Sequence, residues 1–84
     1  MVKRSAITFA ELRQLLLDLG FTQTKRDKFW FFEHPPSDTV LTFRPYRANE
    51  KVTLIDRDRT RQHLDWRGVL EEQRFDDLLR RATA

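Results

Sequence analysis

Residues 21–46 read FTQTKRDKFWFFEHPPSDTVLTFRPY, and this stretch decides the fold. Aromatic and β-branched residues, which favour strands, concentrate in segments 29–32 and 39–43. The segment Pro35-Pro36-Ser37-Asp38 is typical of a turn between them, and the polar segment 25–28 indicates an earlier turn. The sequence therefore predicts three strands, at about residues 21–25, 28–34 and 39–44, in an antiparallel meander.

A helix precedes this stretch. Thr8-Phe-Ala-Glu11 has the spacing of a capping box, in which Thr8 and Glu11 each accept from the other's backbone amide. Ile7 lies where a hydrophobic staple would pair it with Leu12. Gly20 is typical of a helix end in the left-handed conformation, with Phe21 packing back on the helix. Four residues repeat at helical spacing and predict one apolar face: Leu12, Leu15, Leu16 and Leu19.

Two more helices are predicted after the stretch. Thr53 caps the second, which ends at Gly68 with Val69 touching Leu64. The third begins at Glu71-Glu72 and ends at Arg80-Arg81, and acids at the start and bases at the end suit the helix dipole. Its predicted inner face consists of Phe75, Leu78 and Leu79. Charged residues three or four apart predict the local pairs Asp56–Arg59, Asp58–Arg61, Asp76–Arg80 and Asp77–Arg81.

The predicted fold class is α+β, in the order α-β-β-β-α-α, with the helices on one face of a three-stranded antiparallel sheet. One domain spans residues 1–84, with a flexible tail at 1–6. The middle strand offers Phe29 and Phe31 to one face and Trp30 and Phe32 to the other. Only one pair can face the helices. The other pair is covered either by a second copy of the chain or by the loop 45–53 folding under the sheet, and the sequence leaves both open.

Composition excludes several classes of protein. The 84 residues hold no Cys and two His, which excludes thiolate zinc sites and makes histidine metal centres unfavourable. Two Gly are too few for a phosphate-binding loop, so no cofactor is predicted. No signal peptide or bilayer-spanning segment is evident, and a soluble cytoplasmic protein without membrane partners is predicted. The net charge of +3 arises from 16 Lys and Arg against 13 Asp and Glu, a balance that does not by itself require nucleic acid.

The ordered set of motifs resembles the HicA (YcfA-like) toxins. The resemblance is carried by a capped helix ending in Leu19-Gly20-Phe21, an aromatic strand ending in His34-Pro35, and the closing segments RQHLD at 61–65 and GVLEEQRFDDLL at 68–79. It covers roughly residues 8–80. The resemblance implies a fold like that of double-stranded-RNA-binding domains, mRNA cleavage without a metal ion, and a cognate antitoxin that masks the site.

This sequence departs from the family at the catalytic position. The family's histidine lies in Gly-Ser-His, five positions before the histidine of His-Pro, and counting back from His34 gives Phe29 after Asp27-Lys28. A phenyl ring cannot transfer the protons that RNA cleavage requires. We therefore assign no catalytic residue. His34 and His63 are only weak candidates, since the first is expected to cap or pack a turn and the second to be a solvated helix residue.

Two groups of basic residues are candidate binding sites. Cations neutralise phosphates and aromatic rings stack on bases, so the best RNA-binding set joins the first turn to the segment after the third strand. Its members are Lys25, Arg26, Lys28, Trp30, Arg44, Tyr46 and Arg47. The competing interpretation is a solvated turn with Trp30 in the core. The second group, Arg57, Arg59 and Arg61, is either neutralised by neighbouring aspartates or a docking face for a protein partner.

The favoured interpretation is a HicA-like domain without catalysis that binds RNA or a protein, in a setting related to toxin–antitoxin systems. Three partners follow from it: RNA, an antitoxin-like protein, or a second copy of the chain as a homodimer. An active mRNA endoribonuclease is the first alternative. A self-associating structural protein is the second.

Overall fold

The computed structural model describes residues 7–82, so the predicted tail at 1–6 lies outside the described residues. The elements are α1 (Phe9–Asp18), β1 (Thr22–Arg26), β2 (Phe29–His34), β3 (Thr39–Phe43), α2 (Leu54–Trp66) and α3 (Glu72–Ala82). A single 3-10 turn (Pro35–Ser37) joins β2 to β3. The α+β class and the predicted order of elements are confirmed.

The sheet is an antiparallel meander with strand order β1-β2-β3. In β1 and β2, Lys25 lies opposite Trp30 and Arg26 opposite Phe29. In β2 and β3, Trp30 lies opposite Phe43. Cross-strand partners share a face of the sheet, so this register fixes which side chains are neighbours. The predicted strand bounds differ from the observed ones by at most one residue.

Both ends of α1 form as predicted. The Thr8 hydroxyl accepts from the Glu11 amide at 3.2 Å, and the Glu11 carboxylate accepts from the Thr8 amide at 2.8 Å. At the other end, the Phe21 amide donates to the Leu16 carbonyl and the Gly20 amide to the Leu17 carbonyl, both at 3.0 Å. These two bonds define a Schellman motif and satisfy carbonyls that the helix leaves unpaired.

The same arrangement ends α2. The Val69 amide donates to the Leu64 carbonyl at 2.9 Å and the Gly68 amide to the Asp65 carbonyl at 3.0 Å. Gly68 has a φ of +70° and Gly20 a φ of +98°. Each glycine therefore occupies a backbone conformation that other residues adopt only at a cost.

Phe9, the first residue of α1, is the centre of the core. Its side chain is 1% exposed, and ring centroids of Tyr46, Trp30 and Phe43 lie 5.4, 5.6 and 5.8 Å away. Phe32 is fully buried beside it. Trp30 and Phe32 are thus the pair of β2 that faces the helices.

The loop between β3 and α2 contributes to the same side of the sheet. Tyr46 and Val52 are buried in the core, and the Val52 amide donates to the Ile7 carbonyl at 2.9 Å. The loop therefore does not cover Phe29 and Phe31. Phe29 remains 46% exposed and Phe31 partly exposed on the opposite face, which we call the outer face.

Helices α2 and α3 are joined by Arg61 in an arrangement that differs from prediction. Its guanidinium donates two hydrogen bonds to Asp76, at 3.1 and 3.0 Å, and lies 3.3 Å from the Glu72 carboxylate. The hydrogen bonds that Arg61 donates to the Asp76 carboxylate raise the pKa of Arg61. The predicted Asp58–Arg61 pair is replaced because this side of α2 faces α3, where two carboxylates are within reach.

Two other predicted pairs can be compared with the structure. Asp56 and Arg59 pair as expected, at 3.0 Å. Arg80 pairs with Asp77 at 3.0 Å. These two residues are three apart in sequence, whereas the predicted pairs of α3, Asp76–Arg80 and Asp77–Arg81, are four apart. Asp76 is instead used by Arg61.

Candidate nucleic-acid interface

Four of the predicted RNA-binding residues lie side by side at one end of the sheet. The Lys25 ammonium nitrogen lies 4.9 Å from the centroid of the Trp30 ring. The Trp30 indole N–H donates to the Tyr46 carbonyl at 3.3 Å, and the Arg44 guanidinium carbon lies 4.7 Å from the Tyr46 ring centroid. We call Lys25, Trp30, Tyr46 and Arg44 the cation–aromatic row. A cation stands at each end of it, with two aromatic residues between.

Tyr46 holds the row in place. Its side chain is only 4% exposed and stacks on Phe9 with an interplanar angle of 16°. Its hydroxyl donates to the Asp56 carboxylate at 2.6 Å and accepts from the Thr53 amide at 3.2 Å. A ring fixed in this way is not free to stack on a base. Trp30, which is half-buried, is the accessible ring of the row.

The Trp30 ring already has two neighbours. Phe9 packs against it from the core, with centroids 5.6 Å apart, and Lys25 lies over it as a cation–π contact. A base can stack on this ring only by replacing Lys25. The displaced ammonium group is then available to a phosphate next to that base.

Glu50 reduces the positive charge at the other end of the row. Its carboxylate lies 3.7 Å from the Arg44 guanidinium and accepts from the Arg47 amide at 3.1 Å. The Arg47 side chain is exposed beside it. The sequence patterns did not predict a role for Glu50. The available signal was its position three residues after Arg47 in a polar loop, where its carboxylate can accept from the Arg47 amide.

The three cations of the β1–β2 hairpin point in different directions. Lys25 belongs to the row, whereas Arg26 is opposite Phe29 and shares the outer face. Lys28 lies in the two-residue turn that joins the strands. Asp27 and Lys28 have φ values of +48° and +73°, as a type I′ hairpin turn requires, although that turn strongly prefers Asn-Gly.

The second basic group does not form one surface. Arg59 donates to the Thr42 carbonyl at 2.7 Å and Arg61 pairs with α3, so both are used within the fold. Two guanidinium nitrogens of Arg57, Nε and Nη1, are buried without a hydrogen-bond partner in the described chain. Arg59 and Arg61 are therefore engaged within the fold and Arg57 is partly buried, so the group does not present three free cations.

The two histidines have separate surroundings. The His34 Nδ1 atom lies 2.7 Å from the Ser37 hydroxyl, and its ring stacks on Phe21 with centroids 4.9 Å apart. His34 thus packs the turn after β2. His63 makes an edge contact with Trp66 on α2, at 5.6 Å. Within residues 7–82, no three His, Asp or Glu side chains are grouped so that they could hold a metal ion.

The exposed ring of Phe29 lies on the outer face beside Arg26. Comparison with protein families, with curated proteins and with solved structures finds no significant match to this chain. No helix of the described part is both long and apolar enough to cross a bilayer.

Proposed function

We propose that this chain is a non-catalytic module that binds single-stranded RNA through the cation–aromatic row and Lys28. The observation that supports the proposal is that neighbouring members of the row contact one another, from Lys25 through Trp30 and Tyr46 to Arg44. Proteins that bind single strands combine cations that follow the backbone with aromatic rings on which bases stack. The row has both components within one end of a small sheet.

In the proposed complex an unpaired base takes the place of Lys25 over the Trp30 ring. The Lys25 ammonium group moves from the ring to the adjacent phosphate. Stacking of one base on an aromatic side chain contributes about 1–3 kcal/mol, which exceeds the 0.5–1 kcal/mol or so of an exposed cation–π contact. The exchange is therefore favourable, and Arg44 at the far end of the row neutralises a second phosphate.

The conformation of Lys28 supports the same surface. A φ of +73° costs a lysine roughly 1 kcal/mol relative to glycine, because its Cβ crowds the backbone. Strained backbone of this kind concentrates at functional sites. A lysine where glycine fits better places a cation at the hairpin tip, three residues after Lys25 and two residues before Trp30.

Two observations support a module without catalysis. Phe29 cannot transfer a proton, and the His34 ring is engaged by Ser37 and Phe21. The relation to toxin–antitoxin systems rests on the motif resemblance, and an antitoxin-like open reading frame beside the gene would support it.

Lys28→Gly separates binding from folding. We expect it to raise the free energy of unfolding by about 1 kcal/mol, because the strain at φ +73° is relieved. We also expect it to weaken RNA binding and to lower the slope of log affinity against log salt by about 0.7, the value of one phosphate contact on a single strand. Fluorescence anisotropy with a 5′-labelled 12-nucleotide uridine oligomer, at several salt concentrations, measures both binding quantities.

The matched control is Arg74→Ala, which removes one exposed cation from α3, a helix that packs on α1 and α2. It should leave the salt slope unchanged. Binding that does not depend on salt, or an unchanged slope in Lys28→Gly, would contradict the proposal. Gel analysis of the same samples tests the endoribonuclease alternative, which requires cleavage that disappears in His34→Ala or His63→Ala.

A further inference from the structure

The outer face of the sheet is apolar at its centre and lies opposite the helices. Phe29 and Val40 are 46% and 56% exposed, and Phe31 lies between them on the middle strand. The helices and the loop after β3 pack on the other face, where the buried core lies. An apolar face of this kind on a small domain indicates an interaction surface.

Two charges stand at opposite ends of this face. Arg26 is the cross-strand partner of Phe29 at one end, and Glu33 lies at the other end of β2, opposite Thr22 and Val40. Both side chains are exposed, and neither has an ion-pair partner among residues 7–82. Along β2, Phe31 lies two residues from Phe29, the partner of Arg26, and two residues from Glu33. The two charged positions are therefore four residues, or roughly 13 Å, apart along the strand direction.

This pattern is complementary to itself. Consider a two-fold axis in the plane of the interface, perpendicular to the strands and next to Phe31. Rotation about this axis stacks two outer faces on each other with their β2 strands antiparallel. Arg26 of each copy then lies at the level of Glu33 of the other, about 4.8 Å to the side because Arg26 is on β1 and Glu33 on β2, which its long side chain can span. The two Phe31 rings meet at the axis. A two-fold axis along the strands would instead bring the two Glu33 carboxylates together, which costs energy because like charges repel.

We propose that the outer face binds a second copy of this chain in the antiparallel two-fold arrangement. Such an interface is isologous, so one surface patch supplies both sides. It uses the opposite face from the cation–aromatic row. Two copies would therefore present their rows on opposite sides of the dimer, each accessible to RNA, and the dimer does not depend on the RNA proposal.

The dimer is expected to be weak. Three strands spaced about 4.8 Å apart and five or six residues long cover roughly 14 × 17 Å. The two patches together have a plan area of roughly 500 Å², well below the roughly 1,200–2,000 Å² of stable specific interfaces, so the contact belongs with the weak, transient ones. Half-dissociation at micromolar or higher protein concentration is the corresponding expectation.

Charge reversal tests both the interface and its geometry. In sedimentation equilibrium on the full chain up to about 500 μM, the wild type should rise from the monomer mass of 10.2 kDa towards twice that mass. Arg26→Glu alone and Glu33→Arg alone should each stay monomeric, because each places like charges opposite one another. An equimolar mixture of the two variants should regain the dimer, since both ion pairs then form between unlike copies.

Arg74→Glu is the matched control for the change in net charge and should associate like the wild type. Circular dichroism verifies that each variant is folded. Phe31→Asp provides an independent disruption at the axis, whereas Trp30 faces the core and is unsuitable. A wild type that stays monomeric at 500 μM overturns the proposal. So do single charge reversals that associate normally, and a mixture that fails to regain association after both singles have lost it.

Discussion

Phe9→Ala is expected to lower the free energy of unfolding by about 3–5 kcal/mol, the largest stability effect of any single change considered for this chain. Phe9 is 1% exposed and contacts rings from β2, β3 and the loop after β3. Removing it leaves a cavity where α1 meets the sheet. A domain of this size has a total stability of about 4–13 kcal/mol, so the substitution removes from roughly a quarter to all of it.

Urea denaturation followed by circular dichroism measures the effect of Phe9→Ala. Phe29→Ala is the matched control, because it deletes the same side chain from a position that is 46% exposed. That variant should lose less than about 1 kcal/mol. Equal losses in the two variants would show that the core is not centred on Phe9.

The second large effect is expected at the end of α1. Gly20→Val should lower the free energy of unfolding by about 2–3 kcal/mol, because valine at a φ of +98° is sterically strained. A Cβ at this position would lie 3.7 Å from two atoms of the His34 ring, which is an ordinary contact. The backbone angle is therefore the main cost. The strain falls on the Schellman motif that directs the chain into β1.

Asparagine at the two glycines provides the comparison for this prediction. Gly68 has a φ of +70°, at the edge of the left-handed region that asparagine tolerates, and a Cβ there meets nothing within 4 Å. Gly68→Asn should cost less than Gly20→Asn, whose φ of +98° lies outside that region. Thermal unfolding of the two variants measures the difference. A larger loss at Gly68 would contradict the assignment of the cost to backbone geometry.

The sequence predicted those parts of the fold that depend on neighbours along the chain. The capping box at Thr8 and Glu11 and the glycine ends of α1 and α2 form as expected, because each is complete within about six residues. The pairing of Arg61 with Asp76 joins residues 15 apart. No local pattern encodes such a contact, and the prediction of a nearer partner was wrong for that reason.

The candidate site was only partly predictable. The pattern of β2 could not show whether Phe29 and Phe31 or Trp30 and Phe32 are buried, because both pairs are aromatic. Docking of the helices decides it. The sequence predicts Lys25 and Arg26 as one cluster, yet adjacent residues of a strand point to opposite faces, and only Lys25 lies beside Trp30. The Tyr46–Asp56 hydrogen bond, which fixes the row, joins a loop to α2 and carries no sequence signal.

The central position of β2 has a consequence for aggregation. Four consecutive aromatic residues, 29–32, form a segment with the high β-propensity and low charge typical of amyloid-forming sequences. Both of its edges are occupied, by β1 and by β3, so its backbone is not available to strands of other molecules. Lys28 and Glu33 flank the segment as charged gatekeepers. Detachment of β1 would leave one edge of this aromatic segment open to pairing with strands of other molecules.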